Sequence, residues 1–187
     1  ASVLNGINTI IIGGAAIDTE TREKLQRFRC RFYATYGMTE TISHVALSAL
    51  NGSSATDNYT VLPGITIAQD ARGCLVIESD FLSEKVITND LVEIGDANSF
   101  KWLGRWDNVI NSGGIKVIPE MLEIEIGEIL HELGINQHFF VSSIPDRKLG
   151  NKIVLLIEHS VSQHVLENLR AGMKKKIRPQ EVPKYIL

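Results

Sequence analysis

The sequence predicts two consecutive domains, an α/β and antiparallel β region over residues 1–104 and a small α+β domain over residues 105–187. A βαβ pattern with glycines at its strand ends opens the chain. Short alternating segments broken by Gly, Asn and Asp follow it, and strands and helices alternate again after Gly104. The expected fold is α/β plus a barrel-like β region, followed by a small α+β domain.

The first elements form the βαβ unit. Residues 7–12 are β-branched and end at two glycines, which predicts a buried parallel strand. Asp18 can cap a helix over residues 19–28, and residues 31–36 form the next strand. Ligands bind at the carboxyl edge of such strands in open α/β sheets. The glycines expected at that edge are Gly13, Gly14 and Gly37.

The middle of the chain has short segments of alternating polarity between about residues 43 and 103, which predict an antiparallel sheet or a small barrel. Residues 51–54, Asn-Gly-Ser-Ser, are expected to form an exposed loop. The segments of strand-like composition are residues 62–68, 73–78, 85–88 and 100–103.

The second domain begins with a hairpin over residues 108–118 that turns at two glycines. Pro119 suits the first position of a helix, apolar residues recur at helical spacing through Leu133, and Gly134 can terminate the helix. The expected later elements are strands over residues 138–143 and 152–158 and a helix over residues 162–176.

The composition excludes several classes. The chain has 187 residues, is 44% hydrophobic, and carries a formal net charge of −3, which gives no electrostatic case for nucleic acid. Its apolar runs are too short to cross a bilayer. Cys30 and Cys74 have no CxxC partner, so reduced thiols and a cytoplasmic location are expected. Neither end resembles a natural terminus, which indicates a piece of a longer protein.

The most informative motif is Tyr-Gly-Met-Thr-Glu-Thr at residues 36–41. The Thr39 hydroxyl can bond a phosphate, and the Glu40 carboxylate can bind Mg²⁺ through hard oxygen. The same residues, taken alone, equally suit a capped turn between a strand and a helix.

A second motif covers residues 104–120 and contains Gly-Arg-x-Asp, Ser-Gly-Gly and Pro-Glu in that order. The two motifs together resemble the core motifs of the acyl-adenylate-forming superfamily, which includes acyl-CoA synthetases, adenylation domains of peptide synthetases and luciferases. The resemblance covers nearly the whole chain as the later half of a family member. It implies that residues 1–104 end a large AMP-binding domain and that residues 105–187 begin a mobile one.

The resemblance assigns roles to the first motif. It implies that Thr39 and Glu40 are catalytic, with Thr39 bonded to the α-phosphate of ATP and Glu40 bound to Mg²⁺. It implies that Tyr36 flanks the adenine, and that the backbone of Gly37 and Met38 lines the acyl pocket beside the nucleotide.

Two further segments resemble nucleotide contacts of the family. Gly14, Ala15 and Ala16 are similar to a stretch that packs against adenine, although the residues alone also suit a tight turn. Asp90 resembles the ribose-binding Asp of a Thr-Gly-Asp motif, although an Asn-Asp turn is the alternative. Asn89 occupies the glycine position of that motif, which departs from the family pattern.

The second motif is expected to form the joint between the domains. The resemblance implies that Arg105 bonds the ribose and that Asp107 is the pivot of the small domain, while an exposed ion pair is the alternative. It implies that Ser112, Gly113 and Gly114 line the channel for the CoA thiol after rotation. The same glycines also suit a simple hairpin turn.

Three other features have two interpretations each. Lys116 is either a strand residue or a CoA contact, and His44 is either structural or in contact with the acyl group. The basic cluster of residues 174–176 and Arg178 is either a solvated helix end or a contact to cofactor phosphates.

The resemblance implies an AMP-forming ligase that adenylates a small carboxylic acid with ATP and transfers the acyl group to CoA. The short connections and the first motif are most similar to the o-succinylbenzoate–CoA ligase family of menaquinone biosynthesis. The alternatives are a carrier-protein-loading adenylation domain and a non-catalytic nucleotide-binding module. No nucleic-acid or membrane partner is expected, and a homo-oligomer is left open. The family's phosphate loop and carboxyl-terminal catalytic lysine have no match here, so the chain alone is expected to be inactive.

Overall fold

The computed structural model describes residues 6–14, 17, 19–96, 98–158 and 161–187. It divides into two compact units, Ala1–Trp102 and Leu103–Leu187, which we describe separately. The helix cap expected at Asp18 and the candidate adenine contacts Ala15 and Ala16 lie outside the described residues.

The first unit contains one eight-stranded sheet with the strand order β1-β2-β3-β4-β8-β7-β6-β5. Strands β1 and β2 are parallel, as predicted for the βαβ unit, and the pairs β2–β3, β3–β4, β4–β8, β5–β6 and β6–β7 are antiparallel. The elements are β1 Thr9–Ile12, α1 Thr19–Leu25, β2 Arg31–Gly37, β3 His44–Ala49, β4 Asn58–Val61, β5 Ile65–Gln69, β6 Cys74–Ser79, β7 Val86–Asp96 and β8 Ser99–Arg105, whose residues from Leu103 onward belong to the second unit.

The sheet is open, so of the two alternatives predicted for this region the described residues form the antiparallel sheet and not a closed barrel. In the described part of the chain, β1 and β5 are the outer strands of the sheet and do not pair with each other. The parallel and antiparallel parts are one sheet because β2 pairs with both β1 and β3. The barrel was expected because short strands with frequent turns occur in both architectures.

Strand β1 is parallel as predicted, but the prediction that it is buried is wrong. Ile10 and Ile12 pack into the cluster that contains Leu25 of α1. Ile11 points to the other face and is 57% exposed. Leu25 of helix α1 belongs to the cluster on the face that carries Ile10 and Ile12, whereas the Ile11 side chain is mostly exposed.

The loop expected at residues 51–54 is exposed only in part. Asn51 is 7% exposed, and its Oδ1 accepts a hydrogen bond from the Phe32 N–H at 2.9 Å. Its Nδ2 donates to the Cys30 carbonyl at 2.9 Å and to the Leu25 carbonyl at 3.2 Å. Asn51 thus satisfies backbone groups between α1 and β2 that would otherwise be buried without partners.

The second unit follows the predicted order of elements. A 3₁₀ turn at Trp106–Asn108 comes first, and the sheet order is β10-β9-β12-β11, with β13 parallel to β12. The elements are β9 Ile110–Ser112, β10 Ile115–Val117, α2 Pro119–Glu132, β11 Phe139–Asp146, β12 Gly150–Ile157, α3 Gln163–Lys176 and β13 Tyr185–Ile186.

Helix α2 has the predicted termini. Pro119 is its first residue, and Gly134 has a φ of 69° just after its last turn. The Gly134 N–H donates to the His131 carbonyl, and the Ile135 N–H donates to the Leu130 carbonyl. These two bonds are the Schellman arrangement, which satisfies the last carbonyls of a helix. Ile126, Ile129 and Leu130 of this helix enter the buried core of the unit.

Candidate functional site

The first group of candidate residues surrounds Asp90 on β7. Its side chain is only 5% exposed. The Tyr36 hydroxyl donates to its Oδ2 at 2.7 Å, and the Trp102 indole N–H donates to its Oδ1 at 3.2 Å. The structure therefore brings two predicted nucleotide contacts, Tyr36 and Asp90, into direct hydrogen bonding. Trp102 is a member of this cluster that the sequence reasoning missed.

Aromatic rings pack against Tyr36, the donor to this carboxylate. The Tyr36 ring lies 5.1 Å from the Phe100 ring and 5.7 Å from the Tyr59 ring, both in edge-to-face geometry. Phe100 and Tyr59 are stacked at 5.5 Å. Burial raises the pKa of the Tyr59 phenol, which is therefore neutral at physiological pH. The cluster orients Tyr36 through packing as well as through its bond to Asp90.

The departure from the family motif at Asn89 has a structural explanation. Asn89 does not have a positive φ, so the backbone there does not require glycine. Its Oδ1 accepts a 2.8 Å hydrogen bond from Arg72, which also donates to the Thr88 carbonyl at 3.0 Å. Arg72 is paired with Asp70 at 2.8 Å. This side-chain network positions the segment before Asp90.

Thr39 and Glu40 lie in an exposed 3₁₀ turn at Thr39–Thr41, directly after β2. Thr41 is fully buried, and its Oγ1 accepts the Met38 N–H at 3.0 Å and lies 2.8 Å from the Ser43 carbonyl oxygen. Thr41 thus fixes the turn while both candidate catalytic side chains face solvent. Its signal in the sequence was a hydroxyl three residues after Met38, the spacing of a capping interaction.

Ile42 follows this turn in a strained conformation. Its φ is 66° and its ψ is −42°, and the Ser43 N–H donates to the Thr41 carbonyl at 2.6 Å. This is a γ-turn with positive φ, which is rare and costly for a β-branched residue. The Ile42 side chain is 76% exposed. Backbone strain therefore occurs immediately beside the candidate catalytic residues, where strain often accompanies function.

Each glycine at the carboxyl edge of the strands is required for a different structural reason. A Cβ at Gly37 would lie 2.5 Å from the Ser43 carbonyl oxygen and 2.6 Å from the His44 Cα, so glycine there permits close approach of β3. A Cβ at Gly13 would lie 2.6 Å from the Thr35 Oγ1. Gly14 has a φ of 104°, which glycine adopts without steric cost.

The candidate residues of the second unit form two local arrangements. An Arg105 nitrogen lies 3.1 Å from the Asp107 Oδ2, and both side chains are substantially exposed. Ser112 is buried, and Gly113 and Gly114 have φ values of 62° and 85°. Two positive φ values at the turn are those of a type I′ hairpin. The simple alternatives for both motifs, an exposed ion pair and a hairpin turn, are thus present.

The features with two interpretations all have structural contacts. Lys116 is a residue of β10 whose Nζ lies 4.6 Å from the centroid of the Trp106 ring. The His44 Nδ1 lies 3.2 Å from the Ser43 Oγ. In the basic cluster, Lys176 pairs with Glu132 at 2.6 Å and Arg178 pairs with Glu181 at 2.6 Å. These contacts favour structural roles for the residues concerned.

The described acidic side chains could bind Mg²⁺ only in combination with the phosphates of a nucleotide. No group of three or more His, Cys, Asp or Glu side chains suited to a metal occurs in the described segments. Glu40 is exposed beside Thr39, and Mg²⁺ is commonly bound by one or two carboxylates together with substrate phosphates. The single exposed carboxylate fits that mode. Among the described helices, none is long and apolar enough to cross a bilayer.

The proteins of known structure that this chain resembles include AMP-forming acid ligases. An acyl-CoA synthetase (AMP-forming)/AMP-acid ligase II-like protein from Dyadobacter fermentans is 42% identical with a TM-score of 0.55, and the match covers 95% of this chain and 51% of that one. Wild-type E. coli MenE with a bound analogue of OSB-AMS is 22% identical with a TM-score of 0.73, and covers 96% of this chain and 42% of that one. The second match shows a shared fold.

The relatives found by sequence have more specific names than the solved structure from Dyadobacter fermentans. The 2-succinylbenzoate–CoA ligase of Lactococcus lactis subsp. lactis is 27% identical over an alignment of 196 residues. The alignment covers 95% of this chain and 43% of that protein. No family model matches the chain. The resemblance to the acyl-adenylate-forming superfamily that the two motifs indicated is confirmed by these relatives. The chain spans 39% to 50% of the length of the curated relatives it matches.

Proposed function

We propose that this chain is the later part of an AMP-forming acid–CoA ligase that acts on 2-succinylbenzoate. The observation that carries the proposal is similarity to 2-succinylbenzoate–CoA ligases along 90% to 99% of the chain. The intact protein would form an acyl-adenylate and pyrophosphate from ATP and the acid. The CoA thiol would then attack the acyl carbonyl and release AMP.

The residues of the first unit would bind and orient ATP. The Thr39 hydroxyl would donate to an α-phosphate oxygen, and the Glu40 carboxylate would bind Mg²⁺, which neutralises phosphate charge when present. Both side chains are exposed in a turn that Thr41 fixes. Gly14 would lie against the adenine together with Tyr36, and both belong to the same edge of the sheet as the turn.

Asp90 would accept the ribose hydroxyls. Its two oxygens each already accept one hydrogen bond, from Tyr36 and from Trp102. These protein donors would then orient the carboxylate toward the nucleotide.

The second unit would supply the moving part. Arg105 would bond the ribose in exchange for its exposed ion pair with Asp107, which is worth less than about 1 kcal/mol. Asp107 would be the pivot. The Ser112-Gly113-Gly114 hairpin would line the thiol channel during transfer to CoA.

The test is a panel of carboxylic acids with the intact protein, ATP, Mg²⁺ and CoA, scored by AMP release. We expect 2-succinylbenzoate to give the highest kcat/KM, and Thr39→Ala and Glu40→Gln to lower it by about 100-fold. The control is Thr66→Ala, in strand β5 and outside the candidate site. A different preferred acid would contradict the substrate assignment. AMP release that requires a phosphopantetheinyl carrier protein in place of CoA would contradict the assignment of CoA as the acyl acceptor.

A further inference from the structure

We propose that Glu120 is a positioning residue that fixes one orientation of the pivot at Asp107. The inference rests on the proposed function, because it concerns the rotation between adenylation and transfer to CoA. It is carried by contacts that lie wholly within the second unit.

One oxygen of Glu120 contacts both sides of the pivot. Glu120 is the second residue of α2. Its Oε1 accepts a hydrogen bond from the Asn108 side-chain amide at 2.6 Å and another from the Arg105 backbone N–H at 3.2 Å. Arg105 precedes Asp107 by two residues and Asn108 follows it directly. We call this arrangement of Glu120, Arg105 and Asn108 the Glu120 clamp.

The other oxygen of Glu120 packs over Gly104. The φ of Gly104 is 151°, and a Cβ there would collide with the Glu120 Oε2 and lie 2.6 Å from the Ile118 Cγ2. Glu120 Oε2 is buried and has no hydrogen-bond partner within the described structure. A buried carboxylate oxygen without a partner is costly.

A cation–π contact holds the same turn from β10. The Lys116 ammonium lies over the Trp106 ring, and such contacts are attractive. With the Glu120 clamp, this attaches the 3₁₀ turn Trp106–Asn108 to the second unit on two sides. A change in the Asp107 backbone dihedrals moves Arg105 relative to Asn108. Glu120 Oε1 must then lose at least one of its two hydrogen bonds.

The clamp therefore favours one pivot orientation over the other. Adenylation and transfer to CoA would each need one of these orientations. Removal of the clamp should change the two half-reactions unequally, whereas a general loss of stability would lower both equally. Glu120 would act through Asp107, as a positioning residue.

The first experiment uses the chain itself and requires no catalysis. Amide hydrogen exchange at Arg105 reports the bond to Glu120 directly. We expect Glu120→Ala to raise the exchange rate by about tenfold. Glu120→Gln keeps an acceptor oxygen and should stay within about threefold of wild type. The matched control is Glu128→Ala, an exposed glutamate on the same helix. Unchanged exchange in Glu120→Ala would overturn the clamp.

The second experiment uses the intact ligase and measures each half-reaction, pyrophosphate exchange for adenylation and single-turnover AMP release for transfer. Glu120→Ala should change the ratio of the two rates by about fivefold or more, and Asn108→Ala should change it in the same direction. The double variant should show less than the product of both effects. An unchanged ratio would overturn the positioning role. A wild-type protein that adenylates no acid would overturn the proposed function, and the exchange experiment would still decide on the clamp.

Discussion

The Tyr36 hydroxyl donates a 2.7 Å hydrogen bond to Asp90 Oδ2 and thereby joins β2 to β7. Three strands, β3, β4 and β8, lie between these two in the sheet order. Neighbouring strands are about 4.8 Å apart, so a flat sheet would separate β2 and β7 by roughly 19 Å. A tyrosine and an aspartate cannot reach that far. The sheet must curl strongly, which brings non-adjacent strands together without closing a barrel.

The first prediction concerns this bond. Tyr36→Phe removes a donor from a buried carboxylate, so the free energy of unfolding should fall by about 1–3 kcal/mol. Urea denaturation followed by circular dichroism measures the change. The control is Tyr33→Phe, on the opposite face of the same strand, for which a change within about 0.5 kcal/mol is expected. Equal effects of the two substitutions would show that the bond to Asp90 adds no stability.

The second prediction concerns the close approach at Gly37. An added Cβ meets backbone atoms of Ser43 and His44, which cannot move aside as a flexible side chain can. Gly37→Ala should therefore lower the free energy of unfolding by about 1–3 kcal/mol. Gly6→Ala is the control, because nothing lies within 4 Å of a Cβ there. Thermal denaturation of both variants is the measurement, and an unaltered Gly37→Ala protein would disprove the close approach.

The third prediction uses the strain at Ile42. Glycine adopts positive φ freely, and the exposed Ile42 side chain contributes little burial. Ile42→Gly should raise the free energy of unfolding by about 1 kcal/mol. The same substitution at Ile87, which is exposed in β7, should lower it by about 1 kcal/mol because glycine weakens strand interiors. Destabilisation by both substitutions in urea titrations would argue against strain at Ile42.

The fourth prediction concerns pH. The ion pair with Lys152, 2.6 Å away, lowers the pKa of Asp146, and hydrogen bonds from the Leu149 and Lys148 N–H groups add to the effect. A lowered pKa means that the folded state favours the carboxylate. The resulting stability is present above the ordinary aspartate pKa of about 4 and is lost as pH falls through the lowered value.

Asp146→Asn tests this assignment. The variant should be less stable than the wild type at pH 7, and the difference should shrink as pH falls below about 4. Urea denaturation at a series of pH values measures it, with Asp80→Asn as the control at an exposed carboxylate. A difference between wild type and Asp146→Asn that is constant from neutral to strongly acidic pH would contradict the lowered pKa.

Local rules predicted the second unit well. Pro119 and Gly134 delimit α2, and the paired glycines of the β9–β10 hairpin have the expected positive φ. Each of these depends on the conformational preference of one or two residues, which the sequence states directly. The two motifs could also be recognised in the sequence, because each is a short contiguous segment. The relatives confirm the superfamily resemblance that these motifs indicated.

The sequence could not reveal contacts between distant residues. Tyr36 and Asp90 are 54 positions apart, and their bond depends on the curl of the sheet. The role of Asn51 was missed because a polar residue before Gly-Ser-Ser resembles any loop, whereas its amide lies in the interior. Strand β1 has the composition of a buried strand, but exposure depends on which elements cover it. Such properties belong to the assembled fold and not to the local pattern.

The network around Asn89 has an evolutionary consequence. Asn89 is tolerated where the family motif has glycine, and Arg72 occupies its side-chain oxygen. The two positions should therefore vary together: homologues with asparagine at the first position should carry arginine at the second, and those with glycine should be free of that requirement. A search that demands the glycine would overlook sequences of this kind, whereas one that accepts the Arg–Asn combination would recover them.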